Sequence, residues 1–172
     1  EDPIVAVGPQ GARPHDTGSG PLRAGVPVVL DIFPRNQATG YWGDITRTVV
    51  RGRASAAVRR MHRAVLAAQK LALAMVRPGV AGRTIHRAVE EYFRRAGFAT
   101  RLAPAGRECG FIHGTGHGVG LDIHEAPALR NGPGRLAAGH VVTVEPGLYY
   151  PGRGGVRIEG TVLGARPGHQ IS

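Results

Sequence analysis

Acids placed where acids are costly point to the chemistry of this chain. Asp31 lies in Val28-Val29-Leu30-Asp31-Ile32-Phe33, Glu145 closes Val141-Val142-Thr143-Val144-Glu145, and Glu159 ends Val156-Arg157-Ile158-Glu159. Asp44 sits in a further strand-like run, residues 41–50. Burying a lone carboxylate costs several kcal/mol unless it is paired or coordinates a metal. Arg157 cannot pair with all of them, whereas a shared divalent metal site removes the difficulty at once. Histidine supplies the remaining donors. His113-Gly114-Thr115-Gly116-His117 sets two imidazoles four residues apart, and His124 follows seven later. On a helix that spacing would put both rings on one face, as in zinc proteases. The intervening glycines argue instead for a loop-to-strand segment where backbone comes close to a ligand. His62, His86, His140 and His169 lack such company and read as background.

Carboxylates with one or two imidazoles and no thiolate suit Mn²⁺, Co²⁺, Fe²⁺ or Zn²⁺. Two such ions bridged by carboxylates can share a hydroxide nucleophile, polarise a carbonyl and stabilise a tetrahedral oxyanion, which is the chemistry of hydrolysis. Other motifs are weak. Gly114-Thr115-Gly116-His117-Gly118 lacks the Lys-Ser/Thr of a phosphate-binding loop, and no Gly-x-Ser-x-Gly elbow is present.

The elements that must position these groups follow from periodicity. Residues 4–7 read as a short strand and 8–25 as a Gly/Pro-rich loop carrying His15. Residues 26–33 and 41–50 read as a strand hairpin. Residues 53–76 predict a helix with an apolar stripe of Val58, Met61, Val65, Ala68, Ala72 and Met75, stopped by Pro78-Gly79. A second helix is expected over residues 82–96, with Ile85, Val89, Tyr92 and Phe93 as its face and Gly97 as its stop. Residues 141–145 and 156–163 read as strands.

Length and composition bound the answer. The chain has 172 residues, 42% hydrophobic and 20% charged, enough for one globular domain with a real core. No apolar run reaches the roughly 18 residues of a spanning helix, so no membrane association is expected. Cys109 alone excludes an internal disulfide or a cysteine zinc cluster, fits a reducing compartment, and makes a cytoplasmic protein the expectation. The net charge is +10, but the basic residues are almost all arginine and scattered, with no aromatic-interleaved stripe. Nucleic-acid binding is therefore not expected. The chain opens at Glu1 without a signal-like segment, and its first strand has no preceding element, so a domain incomplete at its N-terminus is expected.

Four ordered segments carry a family resemblance. Residues 40–48 (Gly-Tyr-Trp-Gly-Asp-Ile-Thr-Arg-Thr), 113–125 (His-Gly-Thr-Gly-His-Gly-Val-Gly-Leu-Asp-Ile-His-Glu), 143–149 (Thr-Val-Glu-Pro-Gly-Leu-Tyr) and 155–159 (Gly-Val-Arg-Ile-Glu) resemble the signatures of the M24 metallopeptidases. These are the Xaa-Pro aminopeptidases, prolidases and methionine aminopeptidases. The resemblance implies an α+β pita-bread fold, a curved antiparallel sheet flanked by helices. It implies one catalytic domain over 1–172, with pseudo-related halves at about 1–80 and 81–172. It carries five metal ligands onto Asp31, Asp44, His117, Glu145 and Glu159, with Asp44 and Glu159 bridging two ions. Mn or Co is the implied metal, with Zn or Fe as alternatives.

The resemblance further implies that Glu145 handles the proton of the attacking water. His113 and His124 stand beside the substrate, Arg157 near the metal carboxylates, and His15 on the substrate side. Val-Arg-Ile-Glu together with Glu-Pro-Gly-Leu-Tyr resembles the Xaa-Pro side of the family more than the methionine aminopeptidases. The expected activity is thus metal-dependent hydrolysis of the bond before proline, on a peptide with proline at its second position. The alternatives are a non-catalytic pita-bread module that binds peptides or proteins, and a methionine aminopeptidase. A homodimer is left open. Two departures stand out: Asp31 and Asp44 are 13 residues apart, two more than the family pattern, and Gly160 follows Glu159 where an acid is usual.

Overall fold

The apolar, β-branched runs pair as strands in the computed structural model, which describes residues 2–100 and 108–164. Strands β1 (Ile4–Val7), β2 (Pro27–Ile32) and β3 (Ile45–Val50) form an antiparallel sheet in that order. Its register sets Ile4, Asp31 and Thr46 side by side. A five-residue 3₁₀ turn, Gly8–Ala12, occupies the start of the expected loop.

Helices α1 (Ala56–Met75) and α2 (Gly82–Arg95) follow. Then come β4 (Gly116–Gly118), β5 (Glu125–Leu129), β6 (Val141–Val144), β7 (Gly147–Tyr150), β8 (Gly154–Arg157) and β9 (Gly160–Leu163). Four of these make a second antiparallel sheet in the order β5-β4-β6-β9, while β7 and β8 form a separate two-stranded ribbon.

The core lies between the helices and this second half of the strands. Met61, Val65, Ala68 and Ala72 of α1 join Ile85, Val89 and Phe93 of α2 in one buried cluster with Phe111, Val142, Val144, Leu148 and Val156. The α1 stripe is interrupted by Gln69, which is buried because its amide donates to the Val144 carbonyl at 3.2 Å. That bond satisfies a polar group that burial would otherwise penalise. Ser55 caps α1, its hydroxyl accepting from the Val58 amide at 3.2 Å. Ser55→Ala is expected to cost about 1 kcal/mol of stability, read by urea unfolding. No measurable change would show that the cap contributes nothing.

Several expected boundaries move. Residues 41–50 are not one strand. Trp42 bridges only Arg35, and its amide donates to the Gly120 carbonyl at 2.9 Å, which draws residues 41–43 toward the second half of the chain. Asp44 therefore stands just before β3. Residues 156–163 split into β8 and β9, because the chain leaves β7 at Arg157 and joins β6 from Gly160. Ile158 and Glu159 lie at this crossover, and the Glu159 amide donates to the Thr46 carbonyl at 3.1 Å. Glu145 likewise falls one residue beyond β6. Strands β5 and β7 were not expected.

The first sheet is sewn to the later strands through side chains. The Thr48 hydroxyl donates to the Arg157 carbonyl at 2.9 Å and accepts from the Arg157 amide at 3.0 Å. The Thr161 hydroxyl donates to the Asp44 carbonyl at 3.0 Å. Together these bonds hold β3 and the residue before it against β8 and β9, around one point.

Candidate metal centre

That point is a cleft of about 1580 Å³ whose lining includes His15, Asp31, Asp44, His113, His117, His124, Glu145, Arg157 and Glu159. Asp31 is delivered by β2, Asp44 from the position just before β3, His117 by β4, Glu145 from the position just after β6, and Glu159 by the β8–β9 crossover. Ligand atoms of Asp44, His117 and Glu159 all lie within 4.8 Å of one another. His117 Nε2 is 3.6 Å from Asp44 Oδ2 and 3.4 Å from Glu145 Oε1. Asp31 is joined to the group through Thr46, whose hydroxyl lies 2.8 Å from Asp31 Oδ1 and 2.5 Å from Glu159 Oε2.

The close approach of β4 depends on glycine. A Cβ on Gly116 would lie 2.0 Å from the Thr143 carbonyl oxygen. No side chain fits there, so the backbone before His117 can press against β6 and bring its ring to Glu145. The His117 amide then donates to the Thr143 hydroxyl at 3.0 Å.

Arg157 organises the opposite wall. Its guanidinium pairs with Asp31 Oδ2 at 2.5 Å, donates to the Tyr149 phenol at 3.0 Å and to the Pro14 carbonyl at 3.1 Å, and reaches Thr46 Oγ1 at 3.1 Å. The bond to Pro14 ties down the loop that carries the exposed His15. Tyr149 also meets His113, with its phenol oxygen 2.8 Å from Nε2. The other nitrogen of His113 is 2.7 Å from the Gly114 carbonyl. A carbonyl can only accept, so Nδ1 carries the proton and Nε2 accepts from the phenol. Both nitrogens of His113 are thus engaged within the protein. His124 is exposed at the rim, its ring centroid 4.4 Å from that of His117.

Three observations show that this set fits divalent cations. First, Arg157 pairs with Asp31, and among the described residues no other Lys or Arg forms an ion pair with Asp44, Glu145 or Glu159. Burial first, then the charges of Glu159 and Asp31, pushes the Asp44 pKa up to about 8. Burial, reinforced by Asp44 and Asp31, takes Glu145 to about 8. Burial and Glu145 hold Glu159 well above its usual range. Second, His117 Nδ1 is 3.0 Å from the Gly118 carbonyl and must donate to it, so Nε2 turns a lone pair toward two carboxylates. Burial lowers the His117 pKa to about 4, so the ring is neutral. Third, Thr46 has one proton for two carboxylates while it accepts from Arg157. A cation between these groups would satisfy all three at once.

The chain belongs to a class of α+β proteins that gather carboxylates and a histidine at the meeting of two antiparallel sheets. More particularly, it belongs to metallopeptidase family M24, whose model matches residues 1–164. It is 38% identical over 164 residues to the Xaa-Pro dipeptidase of Pyrococcus furiosus, covering 94% of this chain and 44% of that protein. The solved prolidase from Pyrococcus furiosus superposes with a TM-score of 0.86 at 38% identity, covering 98% of this chain and 47% of that one. The X-Pro aminopeptidase from Thermotoga maritima superposes with a TM-score of 0.88 at 35% identity, covering 100% and 46%. The fold is the α+β pita-bread fold expected from the motifs, and the family implies divalent metal. The chain spans less than half the length of each of these relatives. Among the described residues, no helix is long and apolar enough to cross a membrane.

The fold brings all nine residues singled out in the sequence to one cleft. Sequence reasoning missed Thr46 and Tyr149. Thr46 had a signal, since i and i+2 share a strand face and it follows Asp44 by two. Tyr149 closes the 143–149 signature, but its role there was not legible, because a buried phenol looks like any core aromatic until its partners are known. His86, taken as background, is buried beneath the site. His169 lies outside the described residues.

Proposed function

We propose that this chain is a single catalytic domain of a dinuclear metallopeptidase that hydrolyses the bond before proline in Xaa-Pro peptides, as a dipeptidase or an aminopeptidase. The observation that carries the reading is the convergence of Asp44, His117 and Glu159 within 4.8 Å, flanked by Asp31 and Glu145. Asp44 and Glu159 would be shared between the two ions. Asp31 would help hold one ion, and His117 with Glu145 would help hold the other. The first sheet, in residues 1–80, and the later strands, in 81–172, then each contribute part of the donor set. Mn²⁺ or Co²⁺ suits this oxygen-rich set.

When bound, such ions lower the pKa of a water and polarise the scissile carbonyl. The chain's own residues do the rest. Glu145 Oε1 accepts the proton of the attacking water and returns it to the proline nitrogen. His124, exposed beside His117, binds the developing oxyanion. His113 serves as a wall held by Tyr149, and His15 lines the substrate side. Arg157 holds the Asp31 carboxylate in place through their ion pair.

The test is elemental analysis of Mn and Co after loading and desalting, followed by release of proline from Xaa-Pro peptides. About two ions per chain, with cleavage, is expected. His124→Ala is expected to keep both ions and lose roughly a hundredfold in turnover. A folded sample without metal would sink the reading. Loss of both ions in His124→Ala would make that residue a ligand instead.

A further inference from the structure

We propose that His86 is a positioning residue for the metal centre, holding from α2 the one side chain that anchors the segment between His113 and His117. The inference rests on reading the cleft as a metal site. That segment is Gly114-Thr115-Gly116, so Thr115 offers its only side chain. Thr115 is fully buried, and its hydroxyl lies 3.0 Å from His86 Nδ1. Its amide donates to the Leu129 carbonyl at 2.7 Å, and its carbonyl accepts from the Glu145 amide at 2.8 Å. Thr115 thus ties α2, β5 and Glu145 together midway between two histidines of the cleft.

His86 is built for this task. It is 1% exposed on the α2 face that also carries Val89 and Phe93, where an aliphatic side chain would serve packing alone. A buried imidazole is tolerated when its nitrogens are engaged. Glu90, one turn on, stands 3.4 Å from Nε2. The carboxylate favours the proton on Nε2 and leaves Nδ1 to accept from the Thr115 hydroxyl. The ring also packs on Phe111 at 5.3 Å, and Phe111 on His113 at 5.6 Å, so α2 reaches the site by a second contact path. His86 is not among the residues lining the cleft, so it acts on the site through Thr115.

The test compares the full chain with His86→Leu, Thr115→Val, the double variant and His86→Asn. Two quantities are read: Mn²⁺ affinity by calorimetry, and hydrogen exchange of the Glu145 amide without metal. His86→Leu and Thr115→Val are each expected to weaken Mn²⁺ binding about tenfold and to speed exchange at Glu145. The double variant is expected to be no worse than either single one, since both remove the same link. His86→Asn keeps a polar atom near the Nδ1 position and is expected to recover most of the affinity. Unchanged Glu145 exchange in folded His86→Leu overturns the proposal, and so do additive losses in the double variant. A wild-type chain that binds no Mn²⁺ overturns the metal reading itself. The exchange measurement then still decides whether His86 holds the segment.

Discussion

Glu159→Ala is expected to leave a folded protein that retains no metal pair and has lost at least about a thousandfold in Xaa-Pro hydrolysis, since metal assistance is worth several kcal/mol and each 1.36 kcal/mol is a factor of ten. Glu159 is 2% exposed and stands between Thr46 and the Asp44–His117 pair. In the bridging role proposed for it, its removal opens the coordination of both ions, not one. Asp44→Ala is expected to behave alike. The stability of the metal-free variant separates this from unfolding. Glu159 raises the pKa of Asp44 by repulsion, so removing it relieves strain in the empty centre. Metal-free Glu159→Ala should melt no lower than the metal-free parent. Retained activity in either variant would refute the assignment of the site.

The second large effect is a dependence of stability on pH that changes with metal. Without metal, Asp44 and Glu145 titrate near 8, far above unfolded carboxyls near 4, and Glu159 shifts the same way. The folded state therefore holds more protons than the unfolded one across that interval. Their stabilising contribution is complete below the unfolded values and is lost as pH rises through about 8. His113 and His117 act in the opposite sense at lower pH. Burial depresses them to about 3 and about 4, so the unfolded chain takes up their protons first and their own contribution falls as pH drops below about 6.5, offsetting part of the carboxyls' gain.

The carboxyl effect is therefore isolated between about pH 7 and 9. There the metal-free protein is expected to lose on the order of several kcal/mol. Divalent metal replaces those protons, so binding should release protons and tighten as pH rises toward 8. Thermal melts at pH 7 and 9, with and without Mn²⁺, check the first point. Calorimetry in two buffers of different ionisation enthalpy checks the second. A metal-free melting temperature that is flat or rising over this range would contradict the picture.

Much of the arrangement was legible because burying charge is expensive. An acid in a β-branched run is an anomaly that the sequence displays openly, and Asp31, Glu145 and Glu159 are such anomalies. Glycine around His113 and His117 was equally informative, because those positions tolerate backbone contact that side chains forbid. The helices were legible from periodicity to within three residues at either end. What stayed hidden depended on partners distant in sequence. β5 contains Pro127 and β7 opens at Gly147 straight after Pro146, so local chemistry reads both as loop. The break between β8 and β9 arises because two different strands compete for consecutive residues, which alternation cannot reveal. His86 shares its spacing with Val89 and Phe93, a pattern that marks the buried face of α2. Weighed as one histidine among eight, it looked incidental.

The seam that closes the centre also orders its assembly. Thr46 meets Glu159 across 113 residues, Thr48 meets Arg157 across 109, and Asp31 meets Arg157 across 126. The β2–β3 hairpin and the α1–α2 pair, by contrast, close over short stretches. Loop-closure entropy must be overcome before such distant contacts give any return, so the local units form first and the seam late. During synthesis the donor set stays incomplete until the crossover at Glu159 has left the ribosome. The complete metal site therefore belongs to the late, long-range stage of folding and not to its early collapse.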